Sequence, residues 1–325
     1  MGTFLVAGTA GFIGARVAEM LLSAEHAVVG VDNLNDAYDL RLKQWRLRRL
    51  EALPGFTFLH LDIGDRRALK DLAFGVHRFD AVLNLAARAG VRYSVKDPWI
   101  YQETNAVGTL NLLDLCRAYE VPKFVLASTS SLYGEGNALP YQEDQPTDRP
   151  LSPYAASKKA AEALCYSYHY LYGIDVTILR YFTVYGPAGR PDMSLFRFVQ
   201  WINEDRPVLI FGDGTQSRDF TYIDDIARGT IAGIRPLGYE IINLGSDTPI
   251  QLLDTVRIVE QALGKKAQLE FQERHPADVT ATWASIEKAA RLLAWRPEHD
   301  FTDGVRDLVA WYRANRAWAR EIPTR

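Results

Sequence analysis

In the stretch TFLVAGTAGFIG (residues 3–14), an apolar run ends in three glycines spaced three apart, Gly8, Gly11 and Gly14. FLVAG (4–8) reads as a buried strand, and residues 12–24 carry helical spacing, so the order is strand, glycine turn, helix. Gly8 allows the tight turn, Gly11 lets the backbone approach a pyrophosphate, and Gly14 permits close packing of helix on strand. The helix start offers unpaired N–H groups to phosphates. An acid, Asp32, closes the next apolar run, AVVGVD (27–32). A carboxylate there accepts hydrogen bonds from the adenosine ribose hydroxyls and repels a 2′-phosphate, which favours NAD over NADP.

Outward from that turn, FTFLHLD (56–62), DAVLNLAA (80–87), KFVLAS (123–128) and DVTILRYF (175–182) read as further strands. Residues 65–74, 105–119 and 153–172 read as helices between them. The alternation implies an α/β fold, a Rossmann-type doubly wound parallel sheet. After Phe182, prolines and glycines crowd in (GPAGRPD, FGDGTQSRD), and a smaller interleaved α/β substrate lobe is expected. The division reads as 1–182 plus about 220–245 for an NAD-binding domain, and 183–219 plus about 246–325 for the lobe. TYIDDIARGTIAGI (221–234) returns to the main domain. The ligand belongs outside the carboxyl ends of the strands.

The 325 residues suit one large domain or two interleaved lobes. A formal net charge of −3 gives no electrostatic ground for a nucleic-acid partner. No apolar run is long enough to span a bilayer, and the N-terminus lacks a signal-peptide pattern. A soluble, cytoplasmic protein with no membrane partner and no metal site is expected. Cys116 and Cys165 sit in helix-like apolar contexts and read as buried free thiols. RLKQWRLRRLE (41–51) reads as a solvated helix face with Trp45 and Leu50 turned inward.

SPYAASKKA (152–160) carries Tyr154 and Lys158 at a spacing that puts both on one helix face. An ammonium near a phenol favours the phenolate, so the Tyr154 pKa is expected to fall towards neutrality. Such a base can take a proton from a hydroxyl whose carbon gives hydride to NAD. Lys158 can also hold the nicotinamide ribose. Further candidate cofactor contacts are Phe12, Ile13, Asn33 and Asn35. Asp62 and Ile63 flank the adenine, and Leu85, Ala86 and Ala87 line the trough. Asn105, Ser128, Tyr181 and Val184 complete the set.

With GTAGFIG (8–14), Asp32, STSSLYG (128–134) and YAASK (154–158), the chain resembles the extended short-chain dehydrogenase/reductase superfamily of NAD-dependent nucleotide-sugar enzymes along essentially its whole length. DNLNDAYD (32–39), ARAGVRYS (87–94), FTVYGPAGRPDM (182–193) and RDFTYIDD (218–225) together resemble UDP-glucuronate 4-epimerases. The resemblance implies that Thr129 hydrogen-bonds the sugar 4-hydroxyl while Tyr154 takes its proton. Related dehydratases and decarboxylases keep an acid just after that hydroxyl residue, where this chain has Ser131. Oxidising C4 of a uronic acid gives a β-keto acid, which loses CO2 when its carboxylate bond lies parallel to the carbonyl π system. Ser130, Ser131 and Thr183 can hold the carboxylate out of that alignment by charge-assisted hydrogen bonds of order 1.5–3 kcal/mol each. Thr282 stands where some galactose epimerases carry a bulky tyrosine, leaving room for the ketose to turn.

Arg190 and Arg218, with Arg88, are candidate partners of the UDP phosphates. Ile210 and Phe211 are expected to sandwich the uracil, and Gln216 and Asp278 to complete the substrate contacts. Asp278 follows Arg274-His275-Pro276-Ala277, a departure from the Arg- or Gln-Pro-Gly-Asp of relatives. Leu195, Phe196 and Phe198 read as core. The implied activity is the interconversion of UDP-glucuronate and UDP-galacturonate through a transient 4-keto sugar with tightly bound NAD. The alternatives are a UDP-glucose or UDP-N-acetylglucosamine 4-epimerase, a UDP-uronate decarboxylase, and a non-enzymatic NAD-binding regulator. The resemblance also implies a homodimer formed through the helices around 99–119 and 153–172.

Overall fold

The computed structural model describes residues 1–273 and 279–324. Six strands alternate with helices: β1 (Thr3–Ala7), β2 (Ala27–Asp32), β3 (Phe56–His60), β4 (Ala81–Asn84), β5 (Lys123–Thr129) and β6 (Asp175–Tyr181). The chain then forms β7 (Thr183–Tyr185), β8 (Val208–Phe211) and β9 (Ser217–Tyr222). It returns with β10 (Tyr239–Leu244) and ends its strands with β11 (Pro249–Gln251) and β12 (Leu269–Gln272). The main sheet has the order β10-β6-β5-β4-β1-β2-β3, with every neighbouring pair parallel. Helices cover both faces, so every residue of β5 is buried, and this is why that strand reads as an unbroken apolar run. β3 lies at the edge and is only partly buried. Strand order reverses between β1 and β4, and the crevice opens there.

Local signals explain the helices. In the first, α1 (Phe12–Ser23), the turn before it is bare glycine. Gly8 has φ +80°, and a Cβ there would lie 2.7 Å from the Ala86 backbone. A Cβ on Gly14 would lie 2.1 Å from the Gly8 carbonyl oxygen, so only glycine lets the helix come this close. The helix Pro153–Tyr172 is capped by Ser152, whose hydroxyl accepts the Ala155 N–H at 3.2 Å. Pro153 sits in its first turn, and Gly173 ends it in the left-handed region at φ 69°. The expected helix at 65–74 is one turn, Arg66–Leu69, widening into a π-turn at Lys70–Phe74. That at 105–119 begins as a π-turn, Gln102–Val107, which buries Asn105, before Gly108–Ala118.

The second helix, α2 (Leu40–Glu51), corrects the reading of the basic stretch. Trp45 and Leu50 face inward, but Lys43 and Arg46 are buried as well. Arg46 survives burial because its fork donates to the carbonyls of Ala188 (2.5 Å) and Ala10 (3.0 Å) and to the Tyr38 hydroxyl (2.7 Å).

β7, β9 and β11 form a second sheet, and β8 pairs with β12. They pack with the helices Ser194–Asn203, Leu252–Leu263 and Phe301–Ala314 around a separate core containing Leu195, Phe196 and Phe198, as the sequence suggested. The helix Ile223–Ala232 packs on α1, tied by the Arg16–Asp224 ion pair at 2.7 Å. Within the stretch 246–325, Ala284, Ile286, Ala289, Leu293 and Trp295 pack in the main core beside β10. The apolar face of the helix Glu287–Leu293 covers that end of the sheet.

Replacing Gly14 by alanine should cost about 1–3 kcal/mol through overpacking against the Gly8 carbonyl. Urea unfolding of the variant will measure this, and an unchanged midpoint would mean that the turn is not close-packed.

Candidate active site

A cavity of about 350 Å³ runs along the carboxyl ends of the strands. Gly8, Gly11, Phe12, Ile13 and Gly14 line one stretch, with Asp32, Asn33 and Asn35 after β2 and Asp62 and Ile63 after β3. Leu85, Ala86 and Ala87 follow β4, and Ser128, Thr129, Ser130 and Ser131 close β5. Tyr154, Lys158, Tyr181, Thr183, Val184 and Arg190 complete the other end. Every expected cofactor contact except Asn105 lines this cavity. Asn105 lies behind it and clamps the Arg88 backbone, accepting its N–H and donating to its carbonyl, both at 2.9 Å.

The adenosine end suits a dinucleotide. No side chain caps α1, so its first-turn N–H groups are open to an anion. Asp32 accepts the N–H of Ala10 at 3.1 Å and that of Leu34 at 2.8 Å, which ties the glycine turn to the loop after β2. Lys43 also lines this end, with its Nζ 3.6 Å from Asp32 and 3.1 Å from the Asn35 side-chain oxygen. Sequence reasoning missed Lys43. Its only signal was a cation on the same helix face as Leu42, Leu47 and Leu50, all buried.

The other end carries Tyr154, Lys158 and the hydroxyl row Ser128–Ser131. Thr129 accepts the Ser131 N–H at 3.1 Å and sits 3.2 Å from the Ser131 hydroxyl. Ser128 points elsewhere, donating to Glu162 at 2.7 Å, and Arg180 forks onto the same carboxylate at 2.9 and 3.0 Å. The Tyr154 ring lines the cavity and its hydroxyl is in hydrogen-bond reach of Thr129. Burial pushes the Tyr154 phenol up, and the Thr129 hydrogen bond and the Arg190 charge pull it back only in part. The protein's own groups therefore leave the phenol raised, and the cation among them that acts on Tyr154 is Arg190 rather than Lys158. The Lys158 ammonium donates to the Ala127 carbonyl at 2.8 Å, and burial brings its pKa down to about 8. Arg190 pairs with Asp192 at 2.5 Å. The carboxylates that line the cavity, Asp32 and Asp62, lie at the adenosine end.

Several expected substrate contacts do not line this cavity. The Arg88 guanidinium lies 3.6 Å from Asp36. Gln216 donates to the Phe211 carbonyl at 2.7 Å, and Arg218 to the carbonyls of Ser217 (2.8 Å) and Val279 (2.9 Å). Phe211 lies under the Arg92 guanidinium, 4.1 Å from the ring centre. Ile210 is fully buried in the second core, because alternation along β8 turns it to the face opposite Phe211, so it cannot stack on a base. Thr282 does not open the cavity either: its hydroxyl accepts the Asp219 N–H at 3.2 Å. Asp278 lies outside the described residues. Both cysteines are free and buried. Among the described residues there is no cluster suited to a metal ion, and no helix is long and apolar enough to cross a membrane.

The chain is similar to known proteins in sequence and in fold. A UDP-glucuronate 4-epimerase from Thermodesulfobacterium geofontis is 57% identical over 316 residues, covering 97% of each chain. The crystal structure of a Bacillus cereus UDP-glucuronic acid 4-epimerase, in complex with UDP-glucuronic acid and NAD, is 38% identical. It superposes with a TM-score of 0.89 over 96% of this chain and 99% of the other. A Thermotoga maritima UDP-glucose 4-epimerase with UDP-glucose is 29% identical, with a TM-score of 0.88 over 96% and 99%. Residues 4–245 match the NAD dependent epimerase/dehydratase family, and the chain belongs to that family.

Proposed function

We propose that the chain is a UDP-glucuronate 4-epimerase, interconverting UDP-glucuronate and UDP-galacturonate. One observation carries this reading. The sugar end of the cavity combines Tyr154 with four neutral hydroxyl residues, Thr129, Ser130, Ser131 and Thr183, and has no carboxylate lining it among the described residues. The 57% identity to a UDP-glucuronate 4-epimerase supports it.

The glycine turn and the first turn of α1 would hold the pyrophosphate of NAD, Asp32 its adenosine ribose and Lys158 its nicotinamide ribose. Bound there, NAD would supply an acceptor and donor of hydride for C4 and a positive charge that favours a phenolate. Thr129 orients the 4-hydroxyl towards Tyr154. Tyr154 takes the hydroxyl proton as C4 is oxidised and gives it back on reduction. Ser130, Ser131 and Thr183 donate to the substrate carboxylate and hold it away from the alignment that would release CO2. The ketose turns about its pyrophosphate link, so hydrogen returns to the opposite face. An acid at position 131 would repel that carboxylate and supply a second proton-transfer group, which elimination needs. We further propose that residues 1–182 and about 223–244 form the cofactor unit, joined by 284–295.

A homodimer is supported by exposed apolar side chains on two neighbouring helices. Val107 and Leu110 lie on one, and Tyr166, Tyr170, Leu171 and Tyr172 on the other, with Tyr170 75% exposed. Large apolar side chains left exposed on two packed helices suit an interaction surface. The two free thiols suit a reducing, cytoplasmic setting.

Purified protein incubated with UDP-glucuronate, UDP-glucose and UDP-N-acetylglucosamine, with products identified by mass spectrometry and NMR, tests the function. UDP-galacturonate should be the product with the highest kcat/KM, and preference for a neutral sugar or formation of UDP-pentose alone would refute the reading. Tyr154→Phe should lower kcat by about 10²–10⁴ while UDP-sugar binding persists, and full activity in that variant would remove the tyrosine from the mechanism. Ser131→Glu should cut kcat/KM for the uronate about tenfold or more relative to UDP-glucose through like-charge repulsion. Light scattering should give twice the chain mass, and Leu110→Arg should give monomer; a monomeric parent would rule out the dimer.

A further inference from the structure

The wall around Asp32 carries more positive charge than ribose recognition needs. Two ribose hydroxyls require an acceptor, and Asp32 supplies one. Yet Lys43, only 4% exposed, projects from the inner face of α2 into the same end of the cavity. Its Nζ lies 3.6 Å from Asp32, 3.1 Å from Asn35 Oδ1 and 5.5 Å from the centre of the Tyr38 ring. Arg46 and Arg88 lie within electrostatic reach of it. Arg46 is committed to the carbonyls of Ala188 and Ala10, whereas Lys43 has no backbone carbonyl among its hydrogen-bond partners. Burial disfavours the Lys43 ammonium and the Asp32 charge opposes that loss. This wall therefore holds a buried cation balanced by one buried carboxylate, and both face the space where the adenosine ribose would sit.

We infer that Lys43 is a latent 2′-phosphate site masked by Asp32, so that this end of the cavity selects NAD over NADP through a single negative charge. The inference rests on the proposed placement of the adenosine ribose at Asp32. A 2′-phosphate would replace the carboxylate as the counter-ion of Lys43, forming the charge-assisted bond an ammonium makes to phosphate oxygens. With Asp32 present, the phosphate meets a like charge first. Neutral asparagine at position 32 removes the charge and keeps one oxygen, which can accept one of the two N–H groups, of Ala10 or of Leu34, that Asp32 accepts.

The test uses the full chain as purified, equilibrated with equal NAD⁺ and NADP⁺, washed and denatured, with the released nucleotides quantified by mass spectrometry. The parent should release NAD. Asp32→Asn should raise the NADP:NAD ratio about tenfold or more, and adding Lys43→Met should reverse that gain by about tenfold. Lys43→Met alone, which needs no change at Asp32, should lower the ratio below the parent's. Asp32→Asn without a gain in NADP, or a double variant that keeps the gain, overturns the inference, and so does an unchanged ratio in Lys43→Met alone. A parent that releases neither nucleotide overturns the NAD reading itself, which distinguishes the two failures.

Discussion

Burial acts on Tyr154 and Lys158 in opposite senses, raising the proton affinity of the phenol and lowering that of the amine to about 8. Both shifts leave Tyr154 a phenol and Lys158 mainly an ammonium near neutral pH. The tyrosine becomes a base only when additional positive charge or hydrogen bonding favours its phenolate. Arg190 and the Thr129 hydroxyl already act in that direction. This explains why the neighbouring groups are uncharged hydroxyls. A carboxylate in place of Ser131 would push the tyrosine further up, as well as repel an acidic sugar.

The framework that holds this pair also keeps stray acids occupied. Glu162 lies one helical turn beyond Lys158 and is fully buried, which would make it a competing base. Its carboxylate is instead forked by Arg180 and bonded by Ser128. Tyr133 joins the same cluster, accepting from Arg180 at 3.1 Å and donating to Asn243 at 2.7 Å. A buried ion pair of this kind contributes little net stability, but losing one partner is costly. Here it locks the ends of β5 and β6 and the helix Pro153–Tyr172 in one register, which sets where Thr129 and Tyr154 meet.

What the sequence made legible was local. The glycine turn, the acid closing β2, and Tyr154 and Lys158 on one helix face follow from backbone geometry and helical spacing, and all are found in place. The hydroxyl row was legible because it follows directly on a fully apolar strand. What was not legible depends on tertiary contact. Lys43 and Arg46 read as surface charges because their partners, Asp32 and the carbonyls of Ala188 and Ala10, are distant in sequence. Arg190 read as a phosphate partner, yet its charge also reaches Tyr154 from the loop after β7. Ile210 and Phe211 read as a pair in the sequence, although a strand sends adjacent side chains to opposite faces. The return of 284–295 to the main core had no composition signal at all.

A buried tyrosine and neutral hydroxyls would let C4 of a uronic acid be oxidised and reduced without loss of its carbon. The most direct measurement is NMR of the purified chain acting on UDP-glucuronate labelled with deuterium at C4 and ¹³C at the carboxylate. The account predicts UDP-galacturonate that keeps deuterium at C4 and ¹³C in its carboxylate. Deuterium lost to solvent, or ¹³C appearing as CO2, would contradict it.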